Sequence, residues 1–168
     1  MRKPDEDNWK KLRRLLGYLK ITIKLPLILR SDKLNVLKWW VDASYADYDY
    51  MPVHTGRTMS MGKDGRGLII SISKKQKLNT KSLTEAELIG ADDAMPQVLW
   101  TRYFLEAQGY GIDENILYQD DMREILLEKN GNKYSTKNTK HINVRYYFIK
   151  DLVETGDVVI KHFLMEEI

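Results

Sequence analysis

The chain has 168 residues, room for one domain of ordinary size plus an appendage. Hydrophobic residues make up 43% and charged residues 30%, a balance that supports a buried core and argues against general disorder. The 27 Lys and Arg against 24 Asp and Glu give a net charge of +3, and the absence of cysteine excludes disulfides, thiolate zinc sites and cysteine nucleophiles.

The opening MRKPDEDNWKK lacks the apolar stretch of a signal peptide. Residues 5–20 then carry Trp9, Leu12, Leu15, Leu16 and Leu19 at helical spacing, with Asp5 or Asp7 as a cap. The apolar run from Ile21 to Leu29 is broken by Lys24 and Pro26 and is shorter than the roughly 18–20 residues a membrane span needs. A soluble, intracellular protein without membrane contact is expected. Residues 1–33 read as a helix and linker attached to something upstream, and 34–168 as the domain proper.

From Val36 the texture becomes strand-like. VLKWWVDASYA sets Leu37, Trp39 and Val41 on one face and Trp40 and Asp42 on the other. GRTMSMGK and GLIISISKK follow, and the glycine-rich link between them suits a hairpin, so three strands form an antiparallel meander. SLTEAELIGADDAMPQVLWTRYFLEAQG reads as a helix that Ser82 and Glu85 open at capping-box spacing and Gly109 closes. Pro96 lacks an amide donor and is expected to kink or split it. ILYQD is a short strand running into an acidic pair, and REILLEKNG a short helix. TKNTKHINVRYYFIKDLVETG is a basic amphipathic helix and DVVIKHFL a last strand. The order is βββ-α-β-α-α-β, which implies a mixed sheet with parallel later strands.

Three carboxylates stand out. Phosphodiester hydrolysis with two divalent cations needs acidic side chains from separate elements in one small volume, because the ions sit about 3.5–4 Å apart. Magnesium takes oxygen ligands and keeps some waters, so few Asp and Glu suffice. Asp42 lies on the first strand, Glu87 in the first turns of the helix, and Asp120 at the end of the fourth strand. If the first and fourth strands are parallel neighbours, the two aspartates emerge side by side and the helix can drop Glu87 between them. Each alone reads equally well as a cap, turn or salt-bridge residue. Glu85 is the capping residue, and Glu87 lies about 200° further round the helix.

VDASYAD, the HTG at 54–56, SKKQKLNTKSLTEAEL, WTRYFLEAQGYG at 100–111, YQDD at 118–121 and TKHINVRYYFI at 139–149 together resemble the RNase H domain of copia-type retrotransposon polyproteins. PDEDNWKKLRRLLGYLK resembles the segment that joins reverse transcriptase to that domain. The resemblance implies an α/β RNase H-like fold, a five-stranded mixed sheet flanked by helices. It also implies hydrolysis of RNA in RNA–DNA hybrids with Mg2+ or Mn2+, a reverse transcriptase domain in the same polyprotein as partner, and a cytoplasmic, nuclear or virus-like-particle location. The family's catalytic, metal-binding acids fall on Asp42, Glu87 and Asp120. Asp121 stands where the family has Asn. The family's final Asp would fall just beyond Ile168, and Glu166 and Glu167 precede it, so impaired cleavage is expected of this clipped chain. The alternative is an inactive remnant of the fold that binds nucleic acid or connects modules.

Lys74, Lys75, Lys77 and Lys81 form a basic group suited to backbone phosphates, and Gly56 allows close approach to a sugar 2′-hydroxyl. A second basic group, including Arg145 and Lys150, reads equally as the solvated face of its helix. Tyr147 and Phe148 are expected in the core, and Trp39, Trp40 and Trp100 in the core or on the sheet. His54, His141 and His162 are too scattered to suggest a zinc site.

Overall fold

β1 (Val36–Ser44) alternates as its sequence demands: Leu37, Trp39, Val41 and Ala43 are buried, while Lys38, Trp40, Asp42 and Ser44 are not. The computed structural model describes residues 4–26, 28–44, 53–63, 67–78, 80, 82–120 and 140–163. β2 (His54–Ser60) pairs antiparallel with β1, and β3 (Leu68–Lys75) antiparallel with β2. Gly67, at φ +71°, ends the link between them; a Cβ there would lie 2.8 Å from the backbone nitrogen of Arg30, where the N-terminal linker passes.

α2 (Leu83–Ala107) leads to β4 (Glu114–Gln119), and α3 (Lys140–Glu154) to β5 (Val159–His162). β4 lies parallel to β1, β5 parallel to β4, and the sheet order is β3-β2-β1-β4-β5. The meander and the parallel half are therefore as expected. The expected helix at 123–131 lies outside the described residues, as do Lys81, Asp121 and the acidic residues after 163.

One face of the sheet buries Leu37, Trp39, Val41, Leu117 and Ile160 against Leu88, Ala91, Met95 and Val98 of α2 and Tyr146 and Ile149 of α3. A polar pin crosses this core. Buried Asn115 accepts from the Trp39 indole at 3.1 Å and donates to the Val98 carbonyl at 3.2 Å, tying β1, β4 and α2 together. Arg145 of α3 pairs with Asp92 of α2 rather than standing free for a ligand. On the other face Trp40 stacks on Tyr118 with centroids 5.2 Å apart, and Phe163 meets both rings edge-on.

Two expectations are corrected, and a third is narrowed. Of the kink or split expected at Pro96 the split does not occur, since α2 runs on through it. A proline inside a helix costs about 3 kcal/mol, but Met95 and Val98 beside it are fully buried, each contributing roughly 1.5–3 kcal/mol. Tyr147 and Phe148 are 42% exposed, because Tyr146 and Ile149 take the inward positions and helical rotation swings the other two to the flank. Trp100 is 61% exposed and stacks on Phe104 along the outer side of α2.

α1 (Glu6–Thr22) begins at Asp5, whose carboxylate accepts from the Asn8 amide at 2.8 Å. None of its residues is buried, and Trp9, Leu12, Leu16 and Leu19 are exposed.

Candidate metal centre and its cleft

The ladder between β1 and β4 ends at the Trp40–Tyr118 pair. Beyond it the two parallel strands separate at their carboxyl ends, the place where open α/β sheets characteristically form clefts. Asp42 and Ala43 continue along β1 on one side of the gap, and Asp120 follows the last residue of β4 on the other. α2 spans the opening. Ser82 caps it by accepting from the Glu85 amide at 3.2 Å, which sets the helical phase and turns Glu87 inward. Glu87 is only 3% exposed, and both of its carboxylate oxygens lie 3.1 Å from the Ala43 amide nitrogen.

Asp42, Glu87 and Asp120 each present an oxygen within 4.8 Å of the other two. Together with Ala43 and Leu83 they line a single depression. Burial, and then the Asp120 carboxylate, raise the Asp42 carboxyl above the usual aspartate range, against the opposing effect of the Ala43 amide. Among the described residues no ion pair involves Asp42 or Asp120. Three carboxylates in one depression, offering hard oxygen donors, fit a divalent ion such as magnesium or manganese.

The three acids that sequence reasoning singled out are thus brought together, and Glu85 is left at the helix cap. Gly56 pairs with Asp42 across β1 and β2. Lys74 and Lys75 lie on β3, and Lys77 just beyond it, two strands from the acids.

The structure adds His162, which sequence reasoning set aside. Its Nε2 lies 3.1 Å from the carbonyl oxygen of Asp120, while the Phe163 amide donates to the Gln119 carbonyl at 2.9 Å. Asp120 sits past the end of its ladder, and β5 anchors it there. The signal was the parallel register of the last strand, which sets His162 beside Gln119 and cannot be read from spacing alone.

No protein-family model matches the chain. It is 32% identical over 152 residues, 90% of its length, to a retrovirus-related Pol polyprotein from transposon TNT 1-94 of Nicotiana tabacum. It is 29% identical over 96% of its length to one from transposon RE2 of Arabidopsis thaliana. The chain spans about 11% of the length of these relatives. Among solved structures, LC11-RNase H1 isolated from compost shares the fold with a TM-score of 0.54 at 16% identity, over 79% of this chain and 87% of that one. RNase H1 of Halobacterium salinarum NRC-1 does so with a TM-score of 0.51 at 14% identity, over 77% and 86%. In sequence and in fold, the chain is an RNase H-like domain related to the Pol polyproteins of copia-type retrotransposons.

Proposed function

We propose that this domain hydrolyses the RNA strand of RNA–DNA hybrids with the help of two divalent cations, Mg2+ or Mn2+, held by Asp42, Glu87 and Asp120. The observation that carries the proposal is the convergence of those three carboxylates within 4.8 Å. Bound there, the cations would activate water and stabilise the leaving oxygen of the phosphodiester. Glu87 is fixed by the Ala43 amide and so holds its charge at one place without reorganisation. Asp42 and Asp120, on separate strand ends, bracket it.

The substrate reading rests on the surface beside the cleft. At Gly56 the nearest atom to an added Cβ would be the Asp42 carbonyl at 3.9 Å, so the strand backbone is open to a close-fitting sugar edge near the acids. Lys74, Lys75 and Lys77 would meet backbone phosphates with little sequence preference, and Lys81 is assigned with them from sequence. An LC11-RNase H1 structure of the same fold, with a TM-score of 0.51, is a complex with RNA/DNA hybrid. Residues 1–33 serve in this reading as the connection to a reverse transcriptase domain of the same polyprotein, within a cell or a virus-like particle. The unburied apolar side of α1 supports that role.

The deciding assay incubates labelled RNA–DNA hybrid with Mg2+ or Mn2+ and the chain or its Asp42→Asn variant. Cleavage by the former and none by the latter is expected. Hybrid bound but left intact across all metal concentrations would make the domain a non-catalytic binding or connecting module.

A further inference from the structure

Three polar side chains reach from the sheet side to backbone carbonyls of α2. Gln76, just beyond β3, donates through Nε2 to Ala86 at 2.7 Å. Arg57 of β2 donates through Nη1 to Asp93 at 2.8 Å, and Asn115 of β4 through Nδ2 to Val98 at 3.2 Å. Only the first grips the residue directly before Glu87. Gln76 ends the run SKKQ, and it is 5% exposed where Lys74 and Lys75 remain at the surface.

Gln76 is fixed at both ends. Its backbone amide donates to the Val53 carbonyl at 2.8 Å, and its Nε2 also donates to the Thr55 hydroxyl oxygen at 2.8 Å. Both Nε2 protons are thus engaged. Its Oε1 is screened from water and has no donor among the described residues, which costs free energy. Turning the amide over would set Oε1 against the Ala86 carbonyl, acceptor to acceptor. The side chain is therefore committed to donating.

These contacts close a circuit. Thr55 stands opposite Ala43 in the β1–β2 ladder, the Ala43 amide donates to the Glu87 carboxylate, and Glu87 follows Ala86. Gly90 leaves α2 free to come this close, since a Cβ on it would lie 3.1 Å from the Thr55 methyl and 3.2 Å from its hydroxyl. The Ser82 cap sets the phase of the helix, and so the direction of Glu87. A cap acts within one turn and does not set how far the helix stands from the sheet. We infer that Gln76 sets that distance. It is a positioning residue that holds the first turns of α2 at the depth where Glu87 meets Ala43 and the cleft, acting through the Ala86 carbonyl without itself lining the cleft. The consequence for metal rests on the proposed function; the placement of Glu87 does not.

The test compares the full chain with Gln76→Met, which keeps the length and removes the donors, and Gln76→Asn, which keeps the amide one methylene short of Ala86. Asn115→Leu loses a pin far from the cleft and controls for general loosening, and circular dichroism establishes that each protein is folded at the temperature used. Two quantities are read. One is Mn2+ affinity by calorimetry; the other, without metal, is the proton shift of the Ala43 amide, which reports its contact with Glu87. Both Gln76 variants should bind Mn2+ roughly 10-fold more weakly and move the Ala43 resonance toward its position in Glu87→Ala. Asn115→Leu should do neither. An Ala43 resonance unmoved in both Gln76 variants would overturn the inference, as would equal effects in Asn115→Leu. Should the full chain bind no Mn2+, the metal reading falls, and the Ala43 resonance alone decides whether Gln76 places Glu87.

Discussion

The Glu87 carboxylate straddles the backbone amide of Ala43, with each oxygen 3.1 Å from the nitrogen. One contact therefore satisfies a strand donor left without a β4 partner and fixes a buried carboxyl group at the mouth of the cleft. Structure and chemistry can be separated by substitution. Glu87→Gln keeps an acceptor for Ala43 and should hold stability within about 1 kcal/mol. Mn2+ affinity should nonetheless fall by at least roughly 10–100-fold. Glu87→Ala loses both and should cost about 1–3 kcal/mol in a denaturant titration. Unaltered Mn2+ binding by Glu87→Gln in calorimetry would remove Glu87 from the metal set.

Asp42 gives a pH signature of definite sign. Its carboxyl is raised by burial and then by Asp120, so the folded chain holds this proton more tightly than the unfolded chain does. The stability it contributes is present below the unfolded value and lost as pH rises through the raised folded value. Without metal, Asp42→Asn should thus melt at the wild-type temperature in acid and above it at neutral pH. Added Mg2+ should narrow that gap by binding only the wild type. A wild type that melts higher at neutral pH without metal would contradict the crowding of charge described here.

His162 is expected to act through the Asp120 backbone. His162→Ala should leave the melting temperature close to wild type, since the ring is only half-buried at the end of β5. Its Mn2+ affinity should drop several-fold, within the roughly 10–100-fold range of supporting-residue losses. His162→Gln, which can still donate to the carbonyl, should recover part of it. Equal affinities in all three proteins would show that Asp120 needs no such anchor.

Asn115 is a stability determinant remote from the chemistry. Asn115→Leu would strand the Trp39 indole N–H in a fully buried position, at a cost of about 1–3 kcal/mol. Chemical denaturation should register that loss, and a neutral result would mean the indole finds another acceptor.

Deleting residues 1–24 should leave the unfolding midpoint unchanged within error, because α1 buries nothing against the domain. The remaining linker keeps the Asp32 amide on the Met61 carbonyl at 3.1 Å and the Asp32–Lys38 ion pair at 3.2 Å. A large drop on deletion would assign α1 to the domain rather than to an upstream neighbour.

The sequence by itself determined the local order of this protein. Alternation in VLKWWVDAS fixed which side of β1 is buried, Ser82 fixed the phase of α2, and three acids at strand and helix ends marked a candidate metal centre. These features are legible because side-chain periodicity and capping act within a few residues. Tertiary structure decided what depends on distant partners. It kept α2 whole through Pro96, turned Tyr147 and Phe148 outward, and brought His162 to Asp120 and Arg57 to Asp93. Those outcomes follow from strand register and helix packing, where residues separated by tens of positions meet and where buried area outweighs local propensity.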